Sequence, residues 1–350
     1  MRTIRLSVDA NELGSELSRG SIEKAAGILR AGGTVAFPTE TVYGLGANAL
    51  DATAVAKIFE AKQRPGWDPL IVHLAERGMV SAITEEIPES AVRLMDAFWP
   101  GPLTLLLPRN GAVPDAVTAG RPLVGVRVPR HPVAHALLVA AGIPVAAPSA
   151  NRFGRTSPTL AAHVVEDLEG RIDAIVDSGE ATHGLESTVV DPAAGVVYRP
   201  GVITLKQIQA VCPGAVAFKE AAKSEKNPES MPSPGVGIRH YAPRARLILI
   251  DGEGDLRRRF EAEVKALRPE GKLGLMLPDE FSHAAGGNEV VYRWGAWANE
   301  EELAHRLFAG LRWLDAEGAA VILCPLPQAG GIGTAIRDRL QKAARKEAAE

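Results

Sequence analysis

Thr39, Thr41 and Tyr43 fall within five residues of one another in Phe37-Pro38-Thr39-Glu40-Thr41-Val42-Tyr43-Gly44-Leu45-Gly46, and each can donate and accept hydrogen bonds. Gly44 and Gly46 are expected to permit positive φ and close backbone approach to a bound group. Such a loop suits a ligand, although the same residues also serve as turn punctuation. Lys62 and Arg64 then leave a helix just before Pro65, where cations either complement the helix dipole or meet a bound anion. His73 closes the strand-like run Asp68-Pro69-Leu70-Ile71-Val72-His73.

Further along, Arg127 interrupts the apolar run Val124-Gly125-Val126-Arg127-Val128. A buried arginine needs an anion, which an internal carboxylate or a ligand's carboxylate or phosphate can supply. Ala147-Pro148-Ser149-Ala150-Asn151 leads into Gly154-Arg155-Thr156-Ser157-Pro158, a hydroxyl-rich stretch after a buried strand. Ligands commonly sit there in α/β folds, and Ser149 and Ser157 suit phosphate oxygens. An ST-turn and a helix cap before Thr159 account for part of the same segment. No Gly-x-Ser-x-Gly elbow surrounds Ser149, which argues against a hydrolase nucleophile. Ser187, Thr188 and Arg199 occur in Glu186-Ser187-Thr188-Val189-Val190-Asp191 and Tyr198-Arg199-Pro200-Gly201, where by themselves they read as edge-strand hydroxyls and a surface cation. P-loop, kinase and paired Cys/His signatures are missing, so any nucleotide uses another scaffold and no protein metal site is expected.

These residues must be held by an α/β domain. Helical periodicity and end signals predict helices over Ser21–Arg30, Asp51–Lys62, Glu89–Phe98, Pro132–Ala141, Leu160–Leu168 and Leu205–Val211, the last with a Thr204/Gln207 capping box. Strands are predicted at Thr34–Phe37, Leu70–Leu74, Leu103–Leu107, Leu123–Val128, Val145–Ala147, Ala174–Asp177, Ser187–Asp191 and Val196–Arg199. Some strands follow one another directly, so the sheet is expected to be mixed.

The whole chain has 350 residues, 46% hydrophobic and 23% charged, enough for two domains with real cores. A net charge of −3 argues against a protein built mainly to grip nucleic acid. Cys212 and Cys324 lack the spacing of a disulfide or zinc framework. The N-terminus lacks a secretory h-region, and Ala136 to Pro148 is too short and interrupted to span a bilayer, so a cytoplasmic location is expected.

Lys219 to Ser230 is charged and almost free of large apolar groups, as in a linker. Ser233–Pro243 instead carries Arg239, His240 and Tyr241 among glycines and prolines, which favours docking over the site mouth. Strands at Leu247–Ile250, Leu273–Leu277 and Ala320–Leu323, with helices at Leu256–Leu267, Glu300–Asp315 and Ala335–Ala344, predict a small Rossmann-like domain. The expected division is 1–211, 212–244 and 245–350. Gly330-Gly331-Ile332-Gly333 lacks a glycine of the dinucleotide fingerprint and is expected to be structural.

From Gly33 to Gly201 the chain resembles the YrdC-like threonylcarbamoyl-AMP synthases. Lys62-Gln63-Arg64 matches that family's Lys-x-Arg, and Ser149-Ala150-Asn151 its Ser-x-Asn. Ser-Pro-Gly, His-Tyr-Ala-Pro and Ala-Ile-x-x-Arg-Leu-x-Lys-Ala-Ala resemble the two-domain form. The resemblance implies a mixed twisted sheet with a large concave cavity plus a small C-terminal Rossmann-like domain. It implies condensation of L-threonine, bicarbonate and ATP to threonylcarbamoyl-AMP and pyrophosphate, for tRNA threonylcarbamoyladenosine.

Carried onto matching positions, Thr41, His73, Arg127, Ala147 and Ser187 are expected to hold threonine or its carbamate. Arg64, Asp68, Leu123, Ser149, Ser157, Arg199, His240 and Tyr241 are expected to contact ATP, with Lys62 and Arg64 supplying charge to the chemistry. Magnesium is expected to arrive with the ATP oxygens. A tRNA threonylcarbamoyl transferase would take the product, and weak RNA binding by the chain is the rival from a different class. Family members often carry Asn where this chain has Asp68, and Met-x-Tyr where it has Val236-Gly237-Ile238.

Overall fold

Apolar β-branched residues at alternate positions build a sheet with two differently buried faces. In strand Leu123–Arg127 Val124 and Val126 point one way, and Leu123, Gly125 and Arg127 the other. The computed structural model describes residues 2–219, 233, 240–251, 255–281 and 288–345. The chain forms two compact units. The first comprises residues 1–153, 158–182 and 186–237, and the second residues 154–157, 183–185 and 238–350.

Among the described residues the first unit carries an eleven-stranded mixed sheet. Its order is Ile4–Ser7, Ala174–Asp177, Val35–Phe37, Gly44–Asn48, Val145–Ala146, Ile71–His73, Leu123–Arg127, Leu103–Pro108, Thr188–Asp191, Val196–Arg199 and Val216–Ala217. The largest core lies on the Val124/Val126 face, where Val72, Leu103, Leu105 and Leu107 meet Val55, Ile58, Leu94 and Met95 from helices Ala52–Lys62 and Glu89–Phe98. On the opposite face, helices Glu16–Arg30 and Pro132–Ala141 pack on Val35, Phe37, Val145, Ala174 and Val176. Those helices cover one half of that face. The other half carries only the small cluster Ile71, Leu106 and Val189, with Leu123 and Tyr198 beside it.

Local signals fix several elements as expected. Thr204 and Gln207 form a reciprocal capping box, and Asp51 caps Ala52–Lys62 by accepting from Thr53 and Ala54 amides. Gly142, at φ 65°, ends Pro132–Ala141 in the left-handed conformation. Helix Glu16–Arg30 begins five residues before its predicted start, because Ser15 caps it.

The Thr39–Gly46 loop requires a correction. Gly44–Asn48 is a strand, paired antiparallel to Val35–Phe37, so the loop ends at Tyr43. Neither Gly44 nor Gly46 has positive φ. A Cβ at Gly46 would lie 2.8 Å from both Phe37 Cε1 and Val145 Cγ1, so close packing inside the sheet is what requires glycine there. Ile4–Ser7 and Glu289–Gly295 were not expected as strands. The first is a four-residue edge with one buried side chain, and the second an edge strand exposing most of its residues in part.

The second unit holds a four-stranded, wholly parallel sheet in the order Arg246–Ile250, Val321–Pro325, Leu273–Pro278, Glu289–Gly295. Phe260, Val264 and Leu267 of helix Leu256–Leu267 cover it, together with Leu275, Leu277 and Leu323 from the strands. Helices Glu300–Ala316 and Gly333–Ala343 complete it, as a Rossmann-like unit should. Gly333 opens a helix and donates its amide to Glu300 Oε2 at 3.0 Å, a structural use of the glycine-rich turn. Of the Ser233–Pro243 segment expected to dock over the site mouth, residues 234–239 lie outside the described residues.

Candidate active site

Five neighbouring strands bring the polar candidates to one end and one face of the first sheet. Ile71–His73 and Leu123–Arg127 run parallel and end side by side, with His73 in register with Arg127. Leu103–Pro108 runs the other way, so Leu103 and Thr104 start beside that end. Thr188–Asp191 lies parallel to it with Thr188 opposite Leu103, which places Ser187 there too. Val196–Arg199 reverses again and ends in Arg199. A register shift between Val197 and Arg199 lets Val197 stay in the main core while Arg199 turns to Ser187. At Gly125 the side chains of the neighbouring strands close over the backbone, since a Cβ there would meet Thr104 Cγ2 at 3.3 Å and Ile71 Cγ1 at 3.4 Å.

Two hydrogen-bonded groups occupy this end. In one, Arg199 donates from Nε to the Ser187 carbonyl at 3.0 Å and from Nη2 to Ser187 Oγ at 3.1 Å, while Ser187 Oγ and Thr104 Oγ1 are 2.8 Å apart. In the other, Arg127 donates from Nε to the Gly101 carbonyl at 3.1 Å and from Nη1 to Thr41 Oγ1 at 2.9 Å. Its Nη2 lies 2.8 Å from Glu40 Oε1. Thus the loop after Val35–Phe37 reaches Arg127 across three intervening strands.

Proton counting orients the threonines. Thr39 Oγ1 is 2.7 Å from the Val42 carbonyl and must spend its single proton there. Thr41 Oγ1, 2.7 Å from Thr39 Oγ1, therefore donates to Thr39 and accepts from Arg127. What remains on Thr41 is one lone pair.

Electrostatics follow from burial. Desolvation alone would raise the Glu40 carboxyl, but the Arg127 guanidinium beside it and its hydrogen bonds hold it down at about 2. Burial, reinforced by the Arg127 charge, pushes His73 down to about 3 against the pull of Glu40. His73 is therefore a neutral imidazole at pH 7, edge-on to Phe37 at 6.3 Å. Its Nδ1 is buried and has no hydrogen-bond partner among the described residues. Burial likewise lowers His131, again opposed by Glu40.

Lys62, Arg64 and Ser149 form a neighbouring set. Gln63, at φ 54°, caps helix Ala52–Lys62 and sends its two flanking cations in different directions. Lys62 is buried and donates to the carbonyls of Ser149 and Asn151, so it holds the Ser149–Asn151 turn. Arg64 donates to the carbonyls of Asp68 at 3.1 Å and Pro69 at 2.7 Å and pairs with Asp68 Oδ2 at 2.9 Å. Its guanidinium sits over the Phe153 ring at 5.9 Å. The Ser149 turn is also tied down by Leu45 donating to the Pro148 carbonyl and Ala150 to the Tyr43 carbonyl, both at 2.8 Å. Ser149 keeps partial exposure, and Ala147 is buried with its amide donated to Ile71. Leu123 shares the face of Arg127.

Ser157, His240 and Tyr241 belong to the second unit. Tyr241 is buried, stacked on Phe308 at 5.7 Å, with the His240 ring 4.2 Å away edge-on.

Glu40 and Thr104 escaped the sequence reading as site residues. Glu40 is the single acid of the Thr39–Gly46 segment, and Thr104 the single hydroxyl in Leu103-Thr104-Leu105-Leu106-Leu107. Each was a visible signal. Among the described residues no group of three or more His, Cys, Asp or Glu side chains is placed to hold a metal ion. Cys212 and Cys324 are free thiols, and burial raises Cys324. No helix among the described residues is long and apolar enough to cross a membrane.

Comparison with known proteins places these features in a family. Residues 27–201 match the family described as telomere recombination, and residues 203–345 match the threonylcarbamoyl-AMP synthase C-terminal domain. A threonylcarbamoyl-AMP synthase of Pyrococcus abyssi is 44% identical over 92% of this chain and 93% of its own length. One from Bacillus subtilis is 42% identical over 98% of both chains. The crystal structure of Pyrococcus abyssi Sua5 complexed with L-threonine superimposes with a TM-score of 0.88, at 40% identity and 98% coverage of both chains.

Proposed function

The chain belongs to the threonylcarbamoyl-AMP synthase family, and we infer from that membership that it joins L-threonine, bicarbonate and ATP into threonylcarbamoyl-AMP with release of pyrophosphate. The observation that carries the assignment of roles is the convergence of Arg127, Thr41, His73, Ser187 and Arg199 on one end of one sheet face. Threonine presents a carboxylate, an amine and a hydroxyl. Arg127 offers its guanidinium to the carboxylate, while the lone pair left on Thr41 and the unpartnered Nδ1 of neutral His73 suit N–H or O–H donors.

The amine nitrogen attacks carbon dioxide to give a carbamate with loss of one proton, or bicarbonate to give the same carbamate and one water. A carbamate oxygen then attacks the α-phosphorus, and the bond to the β-phosphate oxygen breaks to release pyrophosphate. Threonine's carboxylate, the carbamate and the triphosphate are anionic groups, so the work of the protein is to gather them and to stabilise charge that grows on the α-phosphate. Arg64, Arg199, Ser149 and Ser157, with His240 and Tyr241, are assigned to ATP. Lys62 acts through the Ser149–Asn151 turn that it holds.

Magnesium is assigned to the triphosphate and enters with the substrate. The two buried acids nearest these cations, Glu40 and Asp68, face Arg127 and Arg64, a donor set that does not suit a resident cation. The product is an acyl-adenylate, which a tRNA threonylcarbamoyl transferase would consume. We place the reaction in the cytoplasm and make RNA binding secondary, given the net charge of −3.

The test is pyrophosphate release from ATP. Release that requires threonine and bicarbonate together is expected, and robust turnover with threonine omitted overturns the reading. Salt-dependent binding of tRNA without that turnover would favour the RNA-binding alternative.

A further inference from the structure

The second unit includes two short segments that precede its own domain in sequence, residues 154–157 and 183–185. One stripe of helix Glu300–Ala316 seats both of them and Tyr241. At Ala304 and His305 the helix carbonyls abut Gly184, leaving no room for a Cβ there. One turn on, Phe308 stacks on Tyr241 at 5.7 Å with 28° between the rings. One turn further, Arg312 donates from Nη2 to the Thr156 carbonyl at 2.5 Å. The spacing i, i+4, i+8 keeps these contacts on one face.

A second helix also contacts Tyr241. Arg339 of helix Gly333–Ala343 is fully buried, with its guanidinium 5.0 Å from the centre of the Tyr241 ring. Asp338 fixes that guanidinium at 2.5 Å and also pairs with Lys342 at 2.8 Å. The Lys342 carbonyl accepts from the His240 amide at 3.4 Å, and the Ala242 amide donates to the Gly154 carbonyl at 2.8 Å. Tyr241 itself has φ 64°, a conformation that residues other than glycine keep only when their surroundings enforce it.

We propose that Arg312 and Arg339 are positioning residues for the nucleotide: Arg339 sets the backbone and ring of His240-Tyr241, and Arg312 sets the turn that carries Ser157. This rests on the assignment of Ser157, His240 and Tyr241 to ATP made above. Burying a guanidinium is costly, and against an aromatic ring it is offset by cation–π attraction and by the Asp338 charge. A hydrophobic side chain would fill the same space, but would not fix the ring as a charged planar group does.

The experiment compares full-length Arg339→Met, Arg339→Lys, Arg312→Met and Phe308→Leu, each checked for folding by thermal melting, with Ser157→Ala and His240→Ala alongside. The expected result is a KM for ATP raised about fivefold or more in Arg339→Met and Arg312→Met, with the KM for threonine within about twofold, and partial recovery in Arg339→Lys. Should Arg339→Met fail to fold, Arg312→Met, Arg339→Lys and Phe308→Leu carry the same comparison. Equal changes in both KM values, or no change in folded variants, overturn the proposal. If Ser157→Ala and His240→Ala leave the KM for ATP unmoved, the nucleotide assignment falls and the positioning role with it. If those two raise it and the arginine variants do not, only the positioning role falls.

Discussion

Arg127 and Glu40 form a buried ion pair at 2.8 Å, so one anionic partner of the arginine is an internal carboxylate from the loop that also supplies Thr41, and two of its five N–H groups are left for a ligand carboxylate. Both side chains are nearly inaccessible, at 4% and 6% exposure. Removing one partner from such a pair typically costs about 3–5 kcal/mol, because the other charge stays buried and uncompensated. The pair therefore ties loop and sheet together and holds the guanidinium in one orientation.

That orientation gives a prediction that separates the two substrates. Arg127→Lys removes the planar fork that spans Gly101, Thr41 and Glu40, and should weaken threonine binding more than ATP binding. Arg64→Ala should do the reverse. Calorimetric titration of each variant with each ligand decides it, and equal losses for both ligands in both variants contradict the assignment.

Thr39 never needs to touch a ligand to matter. Thr39→Val deletes the shared acceptor of the Thr41 hydroxyl and the Thr41 and Val42 amides and leaves these buried donors to find new partners, at about 1–3 kcal/mol for each left unsatisfied. The expected outcome is a severalfold higher KM for threonine with the KM for ATP unchanged. A variant that binds threonine as the parent does would show that the relay is only packing.

Acid should unfold the first unit in two windows. The folded Glu40 carboxyl sits at about 2, below its ordinary 4.5, so its contribution is fully present above pH 4.5 and is lost as pH falls through about 2. The shift corresponds to about 3 kcal/mol as an order of magnitude. His73 sits at about 3, below 6.5, so the unfolded chain takes up a proton first and stability declines from pH 6.5 down to about 3. Denaturant midpoints against pH should have a shallower upper slope in His73→Asn, the rest belonging to His131, and a shallower lower slope in Glu40→Gln. Slopes unchanged in both variants would remove these two groups as the cause.

Gly46 tests the packing account of the strand. Gly46→Ala places a methyl 2.8 Å from Phe37 and Val145, and overpacking of this kind costs about 1–3 kcal/mol. Gly111→Ala, with nothing within 4 Å, should be nearly neutral. Equal melting temperatures for the two would show that the sheet yields at Gly46 without strain.

The sequence by itself determined the local elements and the residue types from which the site is drawn. Glu89–Phe98, Pro132–Ala141, Leu205–Val211 and Leu256–Leu267 are helices over their predicted spans, because periodicity, caps and breakers act within a few residues. Arg127 stood out as a charge in an apolar strand, and its need for an anion was legible; which anion was not. Glu40, the Thr41 relay and the Thr104–Ser187–Arg199 group depend on strand order and register. They join residues such as Thr41 and Arg127, 86 positions apart, and periodicity carries no information at that range. The same holds for Arg199, re-aimed by a register shift, and for Gly44 and Gly46, whose missing side chains answer to neighbours across the sheet. Short segments 154–157 and 183–185 join the second unit because the backbone of helix Glu300–Ala316 packs against Gly184 and its Arg312 bonds the Thr156 carbonyl, a choice made by packing between distant parts of the chain.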